Sequence, residues 1–201
     1  METVELILAG CAGLGLAASC GFRIFVPPLV MGVAVLNGHF SVADEFAWLG
    51  TYPAIAILGM ATVAEIGAYY VPWLDNMLDS IATPMAGLAG IAVSAAAFGD
   101  VDPVFKWSMA VIAGGGGASL IQAGTVALRA ASSLTTGGLG NPVVSSGEGA
   151  AATGVSMMAI FLPIIGLVLL VLVLYFGFRH MRGRRRLPAT LKVGSSPEPE
   201  K

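Results

Sequence analysis

Charge is scarce in this sequence: Asp, Glu, Lys and Arg together make up 11% of 201 residues, against roughly 25% in soluble globular chains. Hydrophobic residues make up 56% and the mean hydropathy is +0.85, which excludes an ordinary soluble domain of this size. Cations are scarcer still in the first half, where Met1 to Pro103 carries one, Arg23, against nine carboxylates. From Val104 to Lys201 the balance reverses, nine cations against three carboxylates. They cluster beyond the last apolar run, at Arg179, Arg182, Arg184, Arg185 and Arg186, so no basic surface for nucleic acid follows. By the positive-inside bias this end faces the cytoplasm, giving a multi-pass protein of the inner membrane with a cytoplasmic C-terminus. Contact with anionic lipid suits the same cluster.

Cysteine and histidine are equally sparse, with two of each. Cys11 and Cys20 lie nine residues apart in one apolar segment, about 13 Å along a helix axis, too far for a disulfide while that helix is intact. His39 falls in a loop and His180 in the basic tail, so nothing resembles a metal-ligand cluster. Neither a metal nor a cofactor is expected, and no acid–base constellation suggests an enzyme. The run Gly114-Gly115-Gly116-Gly117 lacks the Lys-Ser/Thr ending of a phosphate loop; close helix packing or a flexible break is its expected use. Ala17-Ala18-Ser19-Cys20 is faintly like a lipoprotein processing site, but the acidic start Met1-Glu2-Thr3-Val4-Glu5 lacks a positive n-region. A retained first helix is expected.

What the chain has is long uncharged runs without the alternation of barrel strands. A spanning backbone must satisfy its own hydrogen bonds, which makes this an all-α, polytopic membrane protein. About five transmembrane helices are expected: Val4 to Phe22, Trp48 to Val71, Ile81 to Phe98, Val104 to Leu128 and Val155 to Phe178, the last kinked at Pro163. Ile24 to Leu36 is apolar but only 13 residues long and holds Pro27-Pro28, the mark of a re-entrant or interfacial piece. Ala131 to Ala152 is rich in Gly, Ser and Thr and reads as a loop. Residues 1–186 form a single transmembrane domain and 187–201 a polar, disordered cytoplasmic tail. Five crossings place the N-terminus outside; if Ile24 to Leu36 crosses fully there are six, and it moves inside. Reporter fusions at Glu2 and Lys192 distinguish the two.

An internal similarity runs at an offset of 106 residues: Gly10 with Gly116, Ala12 with Ala118, Leu14 with Leu120, Ala17 with Ala123, and Arg23 with Arg129. In both copies an arginine ends a helix, an interrupted stretch follows, and another span comes next. Candidate repeats 1–80 and 107–186, joined by a linking helix at 81–98, would then be inverted relative to each other. Paired interruptions in inverted halves point to a transporter-type site. Similarity among Gly- and Ala-rich helices also arises from close packing alone.

Two motifs are more specific, Gly21-Phe22-Arg23-Ile24-Phe25-Val26-Pro27-Pro28 and the segment from Val71-Pro72-Trp73-Leu74-Asp75-Asn76 to Asp79 and Pro84. On these the chain resembles a bacterial membrane-protein family, domain of unknown function 4126, over most of its length up to about Phe178. The resemblance implies an integral membrane protein and supplies no activity, so the site is argued from the residues.

Glu65 lies seven residues before Pro72, about 10 Å along a helix, at a depth where ionisable groups face the bundle interior and mark pathways or proton relays. Arg23 and Arg129 are its expected partners. Both arginines could present guanidinium groups to an anion beside exposed backbone donors; capping helix C-termini or reaching to headgroups are their structural alternatives. Asp75 and Asp79 share one face if 73–80 is helical and could bind a cation or share a proton, although Pro72 and Trp73 equally mark a membrane interface. The leading expectation is a small transporter or channel for an unidentified ion or solute, its pathway carrying Arg23, Glu65, Asp75, Asp79 and Arg129. The alternative is a non-transporting scaffold or lipid-interacting protein. The bilayer is the expected partner, and a homo-oligomer is compatible with either reading.

Overall fold

The computed structural model describes residues 3–168 together with 171, 172, 175 and 179; within α4 (below) the side chains of 72–76 and 79 are not described. Every regular element among the described residues is helical. In order these are α1 (Thr3–Cys20), α2 (Val26–Leu36), a 3₁₀ helix (Asp44–Gly50), α3 (Tyr52–Ala68) and α4 (Pro72–Ala97), followed by α5 (Pro103–Met109), a π-helical segment (Ala110–Gly115), α6 (Gly116–Thr136) and α7 (Asn141–Phe161). They belong to one compact unit ending at Leu170, and a second unit begins at Val171.

Local chemistry sets several boundaries. Thr51 caps α3, its hydroxyl accepting from the Ala54 amide, and the Asp102 carboxylate caps α5 through the Phe105 amide. Proline stands in the first turn of α2, α3, α4, α5 and α7, where its missing N–H costs nothing. Gly137 adopts a left-handed conformation, φ 64°, and ends α6.

Three helical stretches are long and apolar enough to cross a membrane: α1, residues 80–97 of α4, and the unbroken run Pro103–Thr136 of 34 residues. The 3₁₀ helix and α3 meet at a 70° bend and would make a fourth span if counted as one. The described residues therefore give three or four candidate spans where the sequence suggested about five. At 11 residues α2 is too short to cross, in line with the interrupted segment expected there. The stretch 131–152, expected as a loop, is instead the end of α6, a four-residue break at 137–140 and the first half of α7. Pro163 does not kink a long span: α7 ends at Phe161, and helical residues resume at Pro163. Most of 169–178, the arginines at 182, 184, 185 and 186 and the expected tail lie outside the described residues.

Beside an apolar core that includes Leu16, Met31 and Val93, two helices bury polar residues and expose large apolar ones. On α3 the buried residues are Ala54, Thr62 and Glu65, while Ile57, Met60 and Val63 are exposed. On α6 Gln122, Thr125 and Arg129 are buried and Leu120 and Leu128 face outward. Apolar residues outside and polar residues inside are what lipid as solvent selects, because an unpaired polar group in hydrocarbon costs several kcal/mol, on the order of the desolvation penalty.

Small residues let the interior close. Ser19 and Ser156 join α1 to α7 through a hydroxyl–hydroxyl contact of 2.8 Å, and a Cβ built on Gly15 would stand 2.8 Å from that of Ala159. Cys20 is buried on the same helix as Cys11, and both thiols are unbridged.

Candidate functional site

The polar interior converges at the gap between α1 and α2. Residues 21–25 leave the helical path there, and the Arg23 side chain is fully enclosed, 0% exposed. Its Nη2 donates to the Ser145 carbonyl at 2.8 Å and to the Ser145 hydroxyl. Arg129, on α6, forms a two-pronged pair with Glu148 on α7, Nε to Oε1 at 3.2 Å and Nη2 to Oε2. The same Glu148 Oε2 lies 3.8 Å from Arg23 Nη2. Ser145 and Glu148 are three residues apart, hence neighbours on one face of α7, and together they receive both arginines.

Tyr69, at the C-terminal end of α3, completes the cluster. The Arg23 guanidinium carbon stands 4.2 Å and that of Arg129 3.9 Å from the centre of its ring. Cation–π contacts of this kind are worth about 2 kcal/mol when desolvated. Tyr69→Leu should lower unfolding stability in detergent by about 2 kcal/mol, whereas Tyr69→Phe keeps the ring face and most of the contact. Equal losses in thermal or denaturant melts would remove the ring from the account.

Glu65 sits one turn before Tyr69, but its carboxylate does not take up an arginine in a direct pair. Oε1 accepts from the Ile24 amide at 2.8 Å and Oε2 from the Phe25 amide at 3.1 Å. The expected Glu65–arginine contact is thus replaced by one between Glu65 and the backbone immediately after Arg23. The reason is local: residues 21–25 leave the helical path, so the Ile24 and Phe25 amides have no place in a helix ladder and donate to Glu65 instead.

Arg23 lies in a break, as expected, but Arg129 does not end its helix; α6 continues to Thr136. The break that follows bonds back to its own helix, Gly140 N donating to the Thr136 hydroxyl at 2.9 Å and Asn141 Nδ2 to the Ser133 hydroxyl at 3.0 Å. Asp75 and Asp79 both belong to α4, which supports the helical spacing read for them; their side chains lie outside those described. Among the described residues no group of three His, Cys, Asp or Glu could hold a metal ion.

Glu148, Ser145 and Tyr69 escaped the sequence reading. A signal for the first two exists: Asn141, Ser145, Glu148, Ala152, Ser156 and Ala159, all buried, recur at helical spacing as small or polar residues. In a membrane helix that stripe marks the inner face.

A cavity of about 620 Å³ opens between α2, α3 and α7, with Val26, Ile66, Tyr70, Ser145 and Gly149 among its walls. Ser145 thus touches both the cavity and Arg23. A second cavity of about 390 Å³ continues along α2 and α7, sharing Leu29 and Val30 and reaching His39 and Phe161, whose rings meet edge-on at 5.9 Å.

No curated protein and no solved structure matches the chain significantly. A family match extends over residues 11–183 and takes in both motifs and every residue of the cluster. On that match, an all-helical membrane protein with paired arginines at its centre, the chain belongs to the family described as domain of unknown function (DUF4126).

Proposed function

We propose that this protein is a small membrane transporter or channel for an ion or small solute, with a pathway that passes the Arg23–Arg129–Glu148 cluster. The observation that carries this reading is Arg23, a fully enclosed guanidinium in a helix break whose Nε and Nη1 have no hydrogen-bond partner among the described residues. Ionisable groups inside a membrane bundle are costly and are retained where they line substrate or ion pathways. Irregular backbone at that depth is tolerated where it is buried in protein or faces a water-filled cavity.

The two cavities along α7 supply a route toward the cluster, and Ser145 connects route and charge. The meeting of Arg23 and Arg129 on one tyrosine supports the inverted repeat suggested by their matching positions. Asp75 and Asp79 belong to this proposal as polar groups on α4, and the cytoplasmic orientation of the C-terminus rests on the arginine cluster at 179–186.

The test is uptake by proteoliposomes of labelled inorganic ions and small organic anions. At least one solute should enter faster than in protein-free vesicles. Arg23→Gln should slow it by about tenfold or more, the scale of one lost charge-assisted contact, while the variant still elutes as a folded species. A scaffold or lipid-interacting protein would move none of them.

A further inference from the structure

We propose that the Ile24 and Phe25 amides and the Arg23 guanidinium form a binding site for a small planar monoanion, such as nitrate or a short carboxylate, which the Glu65 carboxylate occupies as a tethered substitute. This rests on the transport reading above and names the substrate class of the same site. The geometry is that of one carboxylate spanning two successive amides, one oxygen on each, at 2.8 and 3.1 Å. Phe25 is the N-cap of α2, a helix of 11 residues, and Ile24 directly precedes it, so both amides stand just before the helix start, where the backbone dipoles favour negative charge.

A helix start alone would not make a ligand site. The second observation is Arg23, buried, with two N–H groups lacking a hydrogen-bond partner among the described residues and within electrostatic reach of Glu65. Buried donors left open in this way cost stability unless something accepts from them. A diffusible nitrate with one oxygen on each amide has a third to offer one of these donors, and a short carboxylate can offer the second lone pair of an oxygen already on an amide.

The charges around Glu65 set the coupling. Within electrostatic reach of it are Cys20 on α1, Arg23 in the break, Tyr69 at the end of its own helix and Arg129 on α6, and Glu148 of α7 pairs with the two arginines. Helix α2 contributes no titratable group. Asp44 and Glu45 precede the far end of α3, whose axis puts Glu65 about 20 Å beyond Tyr52. Two guanidiniums and two carboxylates balance while Glu65 is ionised. Protonating Glu65 removes the charge that holds it on the amides, weakening its grip, and leaves one positive charge in excess, which one monoanion cancels. Anion and proton therefore enter together: carboxylate, proton and anion become carboxylic acid and bound anion, with no net change of charge in the bundle.

The experiment is calorimetric titration of the full chain in detergent with sodium nitrate at fixed ionic strength. In the wild type, affinity should rise about tenfold for each unit of falling pH while Glu65 is ionised in the anion-free protein. Glu65→Ala should bind nitrate near neutral pH, with the pH dependence gone, and formate should bind while its neutral counterpart formamide does not. Nitrate affinity in the wild type that is absent or independent of pH overturns the proposal, and this arm decides the matter even if the alanine variant fails to fold. Nitrate binding without uptake of any solute would sink the transport reading and leave the site standing. Uptake of another solute with no nitrate binding would do the opposite.

Discussion

Glu148→Ala is expected to destabilise the protein by about 3–5 kcal/mol, the cost of removing one partner from a buried ion pair. Glu148 is 4% exposed and receives two bonds from Arg129, with Arg23 Nη2 3.8 Å away. Without it two guanidiniums share one aromatic ring, with Glu65 engaged on backbone amides. Neither can turn to water, since both side chains are enclosed. Replacing the pair together, as Arg129→Met with Glu148→Met, should recover most of the loss, because well-packed apolar residues substitute for a buried pair at little cost. Unfolding of Arg129→Met, Glu148→Met and the double variant completes a thermodynamic cycle. A single-variant loss under about 1 kcal/mol would mean that water reaches the cluster and that the charges are not confined as described.

The parts of this architecture that were legible in the sequence are those where lipid leaves one solution. Uncharged runs could only be helices, the two prolines at 27 and 28 marked an interruption, and Glu65 lay too deep to face anything but the bundle interior. Residues 141–152 were misread because Gly, Ser and Thr signify loops only where water can solvate the backbone. In a bundle they signify close approach, and Gly147-Glu148-Gly149 lies within α7. Glu148 was hidden by that reading, and with it the true partner of Arg129. The partner of Glu65 was illegible for another reason: backbone amides carry no sequence signature, and only the path of residues 21–25 shows that two of them are open. The continuity of α5 and α6 was legible in the span read from Val104 to Leu128, but the π segment within it was not, since one extra residue in a turn leaves no mark in composition.

The glycine run, read as serving close packing or a flexible break, gives the second large effect. Gly114 and Gly90 pack backbone against backbone where the π segment crosses α4: a Cβ on Gly114 would lie 2.6 Å from Ser94 Cβ and 2.8 Å from the Gly90 carbonyl oxygen. A Cβ on Gly90 would lie 2.6 Å from Ala118 Cβ and 2.7 Å from the Gly114 oxygen. The π turn brings Gly115 to the same helix, 2.7 Å from Ile91 by the same measure. Main-chain atoms cannot swing aside as a long side chain can, so Gly90→Ala and Gly114→Ala should each cost about 1–3 kcal/mol through overpacking, outweighing the roughly 0.5–1 kcal/mol that alanine gains over glycine in a helix. Valine at either position should cost more. Gly116 and Gly117 supply the contrast, because a Cβ there meets nothing within 4 Å; alanine at these sites should stabilise by about 0.5–1 kcal/mol. Melting temperatures of the four alanine variants in one detergent make the comparison. If Gly90→Ala and Gly114→Ala melt with Gly116→Ala and Gly117→Ala, then α4 and the π segment do not touch at that crossing, and the packing that carries α6 and Arg129 to the centre of the bundle is wrong.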